Sequence, residues 1–243
     1  MKLVADFGNT LQKIARFRGE EKLEVTTFNN ISPEQLIQYM LDKGPFNAGI
    51  LSSVIPVSNE IMGVFRQLPD FIELDHLTPV PLTIDYKTPE TLGRDRIALV
   101  AGAAAMYPGK NVLAIDAGSC ITYDLVTSAG HYLGGAISPG IDMRLKALNT
   151  FTGKLPLVQQ QDFYRLIGNT TTTSILSGVI NGTVEEVKGI IGHYRSEFEN
   201  LKVILTGGGQ EFLLNKIKSD IFAVPDLLLM GLNKILDHNG FSE

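Results

Sequence analysis

At 243 residues, with a formal net charge of −5 and a single cysteine, the chain has room for one large domain or two ordinary ones. A chain this long buries about 70–75% of its extended surface and needs no disulfides. The lone Cys120 excludes an intramolecular disulfide framework and reads as a small buried residue on a strand, and the acidic charge offers nucleic acid no footprint. The N-terminus reaches Asp6 too soon for a secretory apolar region, and no apolar run is long enough to span a bilayer, so a cytoplasmic protein with no membrane partner is expected.

The first stretch, Lys2 to Lys13, is an apolar run ending in Asp6, a turn through Gly8-Asn9-Thr10 and a return through Ile14 to Phe17. Two β-capable runs joined by such a turn predict a hairpin. Gly8 and Asn9 tolerate positive φ, so backbone N–H groups could converge on an anion, while Thr10 and Lys13 offer a hydroxyl and an ammonium to phosphate. Asp6 fits such a loop only with a divalent cation between carboxylate and phosphate. An ordinary hairpin turn is the competing reading.

A third strand follows from Lys22 to Phe28. Ser32-Pro33-Glu34-Gln35 supplies a helix N-cap, a proline at the first helical position and a glutamine at the third, with Leu36, Ile37, Met40 and Leu41 as the apolar face and Gly44-Pro45 as the stop. Residues 48–54 read as a buried strand, 57–68 as an amphipathic helix and 71–74 as a short strand. Pro79, Pro81 and Pro89 make 78–91 an irregular connection. It delivers Gly93-Arg94-Asp95-Arg96 and a small-residue helix over 97–106 suited to close packing. In this tetrad Asp95 either caps the helix or acts as a general base beside an arginine that grips a substrate carboxylate.

The order then repeats. Residues 111–117 and 120–127 form a second strand–Asp–x–Gly–turn–strand around Asp116-Ala117-Gly118-Ser119, a strand follows over 130–137, and Ser138-Pro139-Gly140 opens a helix through Leu148. After an insertion ending in Gly168-Asn169-Thr170-Thr171-Thr172-Thr173, a long helix carries Ile175, Val179, Val184, Val187, Ile191, Tyr194 and Phe198 on one face. Its Gly178 and Gly182 leave space for another backbone. A strand at 202–206, the turn Gly207-Gly208-Gly209, a short helix, a strand at 221–224 and a helix over 225–238 complete the chain. The glycine turn reads as strand-end geometry or as a nucleotide contact at a helix start.

Two acid–glycine hairpins half a chain apart predict a duplicated α/β fold. The pattern resembles the actin-like (ribonuclease H-like) ATPase and sugar-kinase superfamily, with two βββαβαβα halves, 1–110 and 111–243, around a central cleft. No nucleophile elbow and no P-loop motif occurs. His76, His131, His193 and His238 show no metal-ligand spacing, and Lys216 with Lys218 is too small a basic group for nucleic acid.

Read together, Asp6-Phe7-Gly8-Asn9-Thr10 with Lys13, Tyr86 with Pro89 and Gly93 to Arg96, Asp116-Ala117-Gly118, Gly135 to Gly140, Gly168 to Thr171 with Ser177-Gly178, and Thr206-Gly207-Gly208 resemble type III pantothenate kinase along essentially the whole chain. The resemblance implies ATP-dependent phosphorylation of the primary hydroxyl of pantothenate, the first step of coenzyme A biosynthesis. It implies that the Asp6–Lys13 segment binds ATP phosphates with Asp6 near Mg2+, and that Ser119 faces ATP. Tyr86, Gly93, Arg94, Asp95 and Arg96 would bind pantothenate, Arg96 holding its carboxylate and Asp95 accepting the proton. Asp116 would help hold a monovalent cation, K+ or NH4+. Thr171 would reach the pantothenate site of the neighbouring subunit of a homodimer built on the long helix. Ser119-Cys120 stands where the family usually has Thr-Ala, which keeps the hydroxyl but loosens its rotamer. The alternatives are a kinase of another small carboxylate or sugar, and a non-catalytic regulator.

Overall fold

The computed structural model describes residues 1–162, 165–217 and 220–241, so Lys218 lies outside the described residues. The first half runs β1 (Lys2–Phe7), β2 (Gln12–Arg18), β3 (Glu21–Phe28), α1 (Pro33–Lys43), β4 (Ala48–Ser53), α2 (Asn59–Phe65), β5 (Asp70–Glu73), the two-residue β6 (Thr83–Ile84) and α3 (Arg94–Met106). The second runs β7 (Val112–Ala117), β8 (Cys120–Val126), β9 (His131–Pro139), α4 (Ile141–Thr150), α5 (Thr171–Leu176), α6 (Gly182–Glu197), β10 (Lys202–Thr206), α7 (Gln210–Ile217), β11 (Phe222–Ala223) and α8 (Leu227–His238). Each half is thus βββαβαβα with insertions: a duplicated α/β fold. The sheets have orders β3-β2-β1-β4-β5 and β11-β10-β7-β8-β9-β6.

By packing, the chain forms two compact units. One comprises 1–110, 125–134 and the segment from Asp226 on; the other comprises 111–124 and 135–225. In the first unit β1 is central, antiparallel to β2 and parallel to β4. Alternation along β1 sends Leu3, Ala5 and Phe7 to a core with Leu36, Tyr39 and Phe65, and sends Val4 to the other face, where Ile97 and Ala98 of α3 and Leu232 of α8 pack. Asp6 follows the parity of Val4, so its carboxylate belongs to the face that α3 and α8 cover. Lys2, on the same face and 1% exposed, pairs with Asp237 of α8. α3 and α8 meet at glycines. A Cβ on Gly231 would lie 1.7 Å from the Ala98 carbonyl oxygen, and one on Gly102 would lie 2.5 Å from that of Leu227.

The α1 cap forms as its sequence dictates. The Ser32 side chain accepts from the Gln35 N–H while the Gln35 side chain accepts from Ser32, and the helix ends at Gly44. The expected apolar face shifts, however. Leu36 and Tyr39 are buried, whereas Ile37 and Leu41 are 41% and 74% exposed, because Tyr39 stacks on Phe46 and takes the place against the core. The expected helix over 57–68 shortens to α2, with Ser58 as its N-cap.

In the second unit Leu113, Ile115, Tyr123, Leu145, Ile175, Val179, Val187 and Ile191 form the core. The expected long helix is one helical run interrupted by a π turn at Ser177–Asn181. There the insertion docks: the Ser177 hydroxyl donates to the Leu166 carbonyl and the Asn181 amide to that of Arg165 at 3.1 Å. Thr183 donates to the Val179 carbonyl at 2.8 Å, which further competes with regular helical pairing.

Candidate active site

The first hairpin sets Asp6 directly opposite Lys13 in the β1–β2 register, and the Gly8 N–H closes the turn on the Leu11 carbonyl at 3.0 Å. Neither Gly8 nor Asn9 takes positive φ, which corrects the expectation for this turn. Gly8 serves by close approach instead: a Cβ there would lie 3.2 Å from the Leu11 carbonyl oxygen. Asn9 and Thr10 are exposed at the tip. The Lys13 ammonium lies 3.0 Å from one carboxylate oxygen of Asp226, and that of Lys22 lies 3.0 Å from the other. Asp226 precedes α8 with φ 59°, a left-handed conformation unusual for a residue with a Cβ. Burial opposes its ionisation, but hydrogen bonds and charge from Lys22 and Lys13 prevail and hold its carboxyl below the usual range.

Tyr86 leaves β6 to stack on Tyr132 of β9, centroids 6.2 Å apart and planes 11° from parallel. Gly134, φ 96°, supplies the room, since a Cβ there would come within 3.2 Å of the Tyr86 ring carbons. The buried Arg96 guanidinium stands 5.9 Å above the same ring. Just before Tyr86, Asp85 pairs with His131 at 2.7 Å and fixes the connection. The helix N-cap is Gly93 rather than Asp95; Asp95 lies in the first turn, where its Oδ1 accepts the Arg96 N–H at 2.8 Å. A carboxylate is favoured there by the helix dipole. Arg94 turns aside, its Nε donating to the Leu74 carbonyl at 2.9 Å. The first unit therefore gathers Tyr86, Arg96 and Asp95 in one cluster, and sets Asp6 on the sheet face over which α3 packs.

In the second unit the Asp116–Ser119 loop is enclosed by glycines from two other segments. Gly207, φ 88°, would place a Cβ 2.2 Å from Asp116 Oδ1, and the Gly209 N–H donates to the Ala117 carbonyl at 2.8 Å. Gly140 donates to the Ser119 carbonyl at 3.0 Å, and its Cβ would lie 2.4 Å from the Gly118 oxygen. Gly118 and Ser119 are exposed, and Cys120 is half-buried at the start of β8.

The threonine run divides by function. Thr170 and Thr173 spend their hydroxyls on a capping box for α5, leaving Thr171 and Thr172 exposed beside it. Of these two, Thr171 lines a groove of about 1240 Å³ together with Arg144, Phe151 and Gly178. Cβ atoms on Gly178, Gly182, Gly189 and Gly192 would meet nothing within 4 Å beyond their own helix backbone and chain neighbours.

Sequence reasoning passed over Asp226, Lys22, Tyr132, Arg144 and Glu186, because nothing in local spacing announces a partner so distant along the chain. Among the described residues no group of three or more His, Cys, Asp or Glu could hold a metal, and no helix is long and apolar enough to cross a membrane.

The fold is similar over 98% of both chains to a protein assigned to the Baf family of transcriptional activators from Campylobacter jejuni, at TM-score 0.61 and 23% identity. It is similar over 99% of this chain and all of the other to a protein assigned as a 2-dehydro-3-deoxygalactonokinase from Sinorhizobium meliloti, at TM-score 0.59 and 13% identity. These likenesses show the class of fold alone: a duplicated actin-like α/β fold. Within that class the sequence model of type III pantothenate kinase matches residues 2–193. A type III pantothenate kinase from Christiangramia forsetii is 47% identical over 98% of this chain and 99% of its own, and one from Phocaeicola vulgatus is 46% identical over the same shares. The chain belongs to the type III pantothenate kinase family.

Proposed function

We infer that the protein transfers the γ-phosphoryl group of ATP to the primary hydroxyl of pantothenate, giving 4'-phosphopantothenate and ADP, the entry to coenzyme A biosynthesis. The observation that carries this is the Tyr86–Arg96–Asp95 cluster in a chain of this family. A buried guanidinium over an aromatic ring suits the substrate carboxylate, and a half-buried carboxylate at a helix start suits its hydroxyl proton.

In this reading Arg96 binds the pantothenate carboxylate, with Tyr86, Gly93 and Arg94 shaping the pocket. Asp95 orients the hydroxyl and takes its proton as the oxygen bonds to the γ-phosphorus and the bond to ADP breaks. Such a transfer asks mainly for alignment and charge neutralisation. Gly8, Asn9, Thr10, Lys13 and Ser119 receive the nucleotide.

A single carboxylate opposite Lys13 on the first hairpin suits Mg2+, which keeps few protein ligands, so Asp6 fits that role. The Asp116 carboxylate, which the side-chain-free Gly207 approaches beside the Ala117 carbonyl, offers the oxygen donors that suit K+ or NH4+. Bound there, the ions supply neutralisation of phosphate charge. The reading places the enzyme in the cytoplasm as a homodimer, with Thr171 completing the neighbouring site. Exposed Phe151 and the open glycine face of α5–α6 support that pairing.

The test is ATP consumption by the purified protein with pantothenate, beside acetate and several sugars, with and without potassium. Turnover with pantothenate alone, raised by potassium, is expected. Turnover only with another acceptor, or pantothenate binding with no ATP consumed, overturns the reading in favour of a different kinase or a regulator.

A further inference from the structure

Behind the Asp116–Ser119 loop the second unit holds a polar network that the reaction does not use. Arg144 on α4 donates through Nε to the Pro139 carbonyl at 2.7 Å, and through one terminal nitrogen to the Ser138 hydroxyl at 2.7 Å and to Glu186 Oε2 on α6 at 2.6 Å. The other Glu186 oxygen accepts from Tyr123, fully buried on β8, at 3.2 Å. Burial opposes the Glu186 charge, but hydrogen bonds from Arg144 and Ser138 prevail and keep the carboxyl below its ordinary range. Burial, and then the Glu186 carboxylate beside it, push the Tyr123 hydroxyl well up, so it stays a donor.

The guanidinium is a rigid fork, and here it fixes two consecutive residues at the end of β9. The next residue is Gly140, whose N–H binds the Ser119 carbonyl and whose Cα stands so close to Gly118 that no side chain fits. The chain of contact therefore runs from Glu186 through Arg144 and Ser138–Gly140 to Ser119. We propose that Arg144 and Glu186 are positioning residues for the nucleotide loop: they clamp the end of β9 and thereby set the Ser119 hydroxyl and the Asp116 carboxylate. Neither is placed to touch the reacting atoms. The inference rests on the reading that this loop receives ATP.

Misplacing a loop by an ångström costs up to about a hundredfold. Arg144→Met is expected to raise KM for ATP roughly tenfold or more while KM for pantothenate stays within about twofold, and Arg144→Lys, whose ammonium still reaches Glu186, to recover part of the loss. Glu186→Gln keeps the shape, and is expected to raise KM for ATP by a smaller factor. Ser119→Ala is the control on the loop itself. If it leaves KM for ATP unchanged, the nucleotide reading of the loop fails. If it raises that KM while both Arg144→Met and Glu186→Gln keep wild-type values, the clamp fails and the loop reading stands. Equal rises in both KM values, without rescue by lysine, mark a merely structural role and also overturn the clamp. Should Arg144→Met not fold, Glu186→Gln decides by the same split.

Discussion

The ammonium of Lys13 is held at 3.0 Å by the carboxylate of Asp226, a residue 213 positions away. The lysine that this family reading gives to the triphosphate is thus already paired, and Lys22 shares the same carboxylate. Were phosphate to draw Lys13 away, Lys22 would still neutralise Asp226 and the exchange would strand no charge. Lys13→Met should raise KM for ATP about tenfold or more, as loss of a charge-assisted contact of about 1.5–3 kcal/mol requires. Nucleotide titration at fixed pantothenate measures it, and an unchanged KM removes Lys13 from phosphate binding.

Asp95 lies within the first turn of α3, tied to its own helix by one backbone hydrogen bond. Asp95→Asn preserves that acceptor and should fold as the wild type does. Its turnover should fall by about 10²–10⁴, the usual contribution of a general base. Near-wild-type turnover would take Asp95 out of the mechanism.

Gly207 combines positive φ with a Cβ position 2.2 Å from Asp116 Oδ1. Gly207→Ala must strain the turn and displace the carboxylate, whereas Gly208, with nothing within 4 Å of a Cβ, tolerates alanine locally. The expected outcome is loss of potassium activation in the first variant and its retention in the second. Activity measured against potassium concentration distinguishes them.

The α3–α8 crossing sets a stability prediction. A methyl at Gly231 would overlap the Ala98 carbonyl, so Gly231→Ala should destabilise by about 1–3 kcal/mol or more through overpacking. Urea unfolding reads this directly, and a midpoint unchanged from wild type would mean that the two helices can separate without cost.

Asp226 and Glu186 both have carboxyls held below their ordinary values of 3.8 and 4.5. A depressed native pKa contributes stability that is present above the unfolded value and disappears as pH falls through the native one. Unfolding free energy should therefore decline below about pH 4.5, and Asp226→Asn should flatten part of that decline. Denaturation midpoints at pH 7, 4 and 3 give the slope; an identical acid limb in the variant would show that Asp226 contributes nothing to it.

What the sequence determined by itself is local. Ser32-Pro33-Glu34-Gln35 had to start a helix because a hydroxyl, a missing N–H and an amide sit at the positions a helix start needs, and Gly44-Pro45 had to end it. An apolar run closing on an acid and a glycine turn, met twice, was enough to announce two hairpins and a duplicated fold. Only tertiary structure decided which apolar positions of α1 face the core, because Tyr39 gains its place from Phe46 on another segment. It also decided that helix 171–197 is interrupted by a π turn at Ser177–Asn181, where the Ser177 and Asn181 side chains bind carbonyls of the insertion. The order of elements repeats at 110/111, yet packing assigns 125–134 and the segment from Asp226 on to the first unit. Lys13 with Asp226 and Arg144 with Glu186 are contacts between distant stretches of chain. Charge and shape complementarity bring such groups together only after the sheets and helices have formed, so no spacing along the chain could announce them.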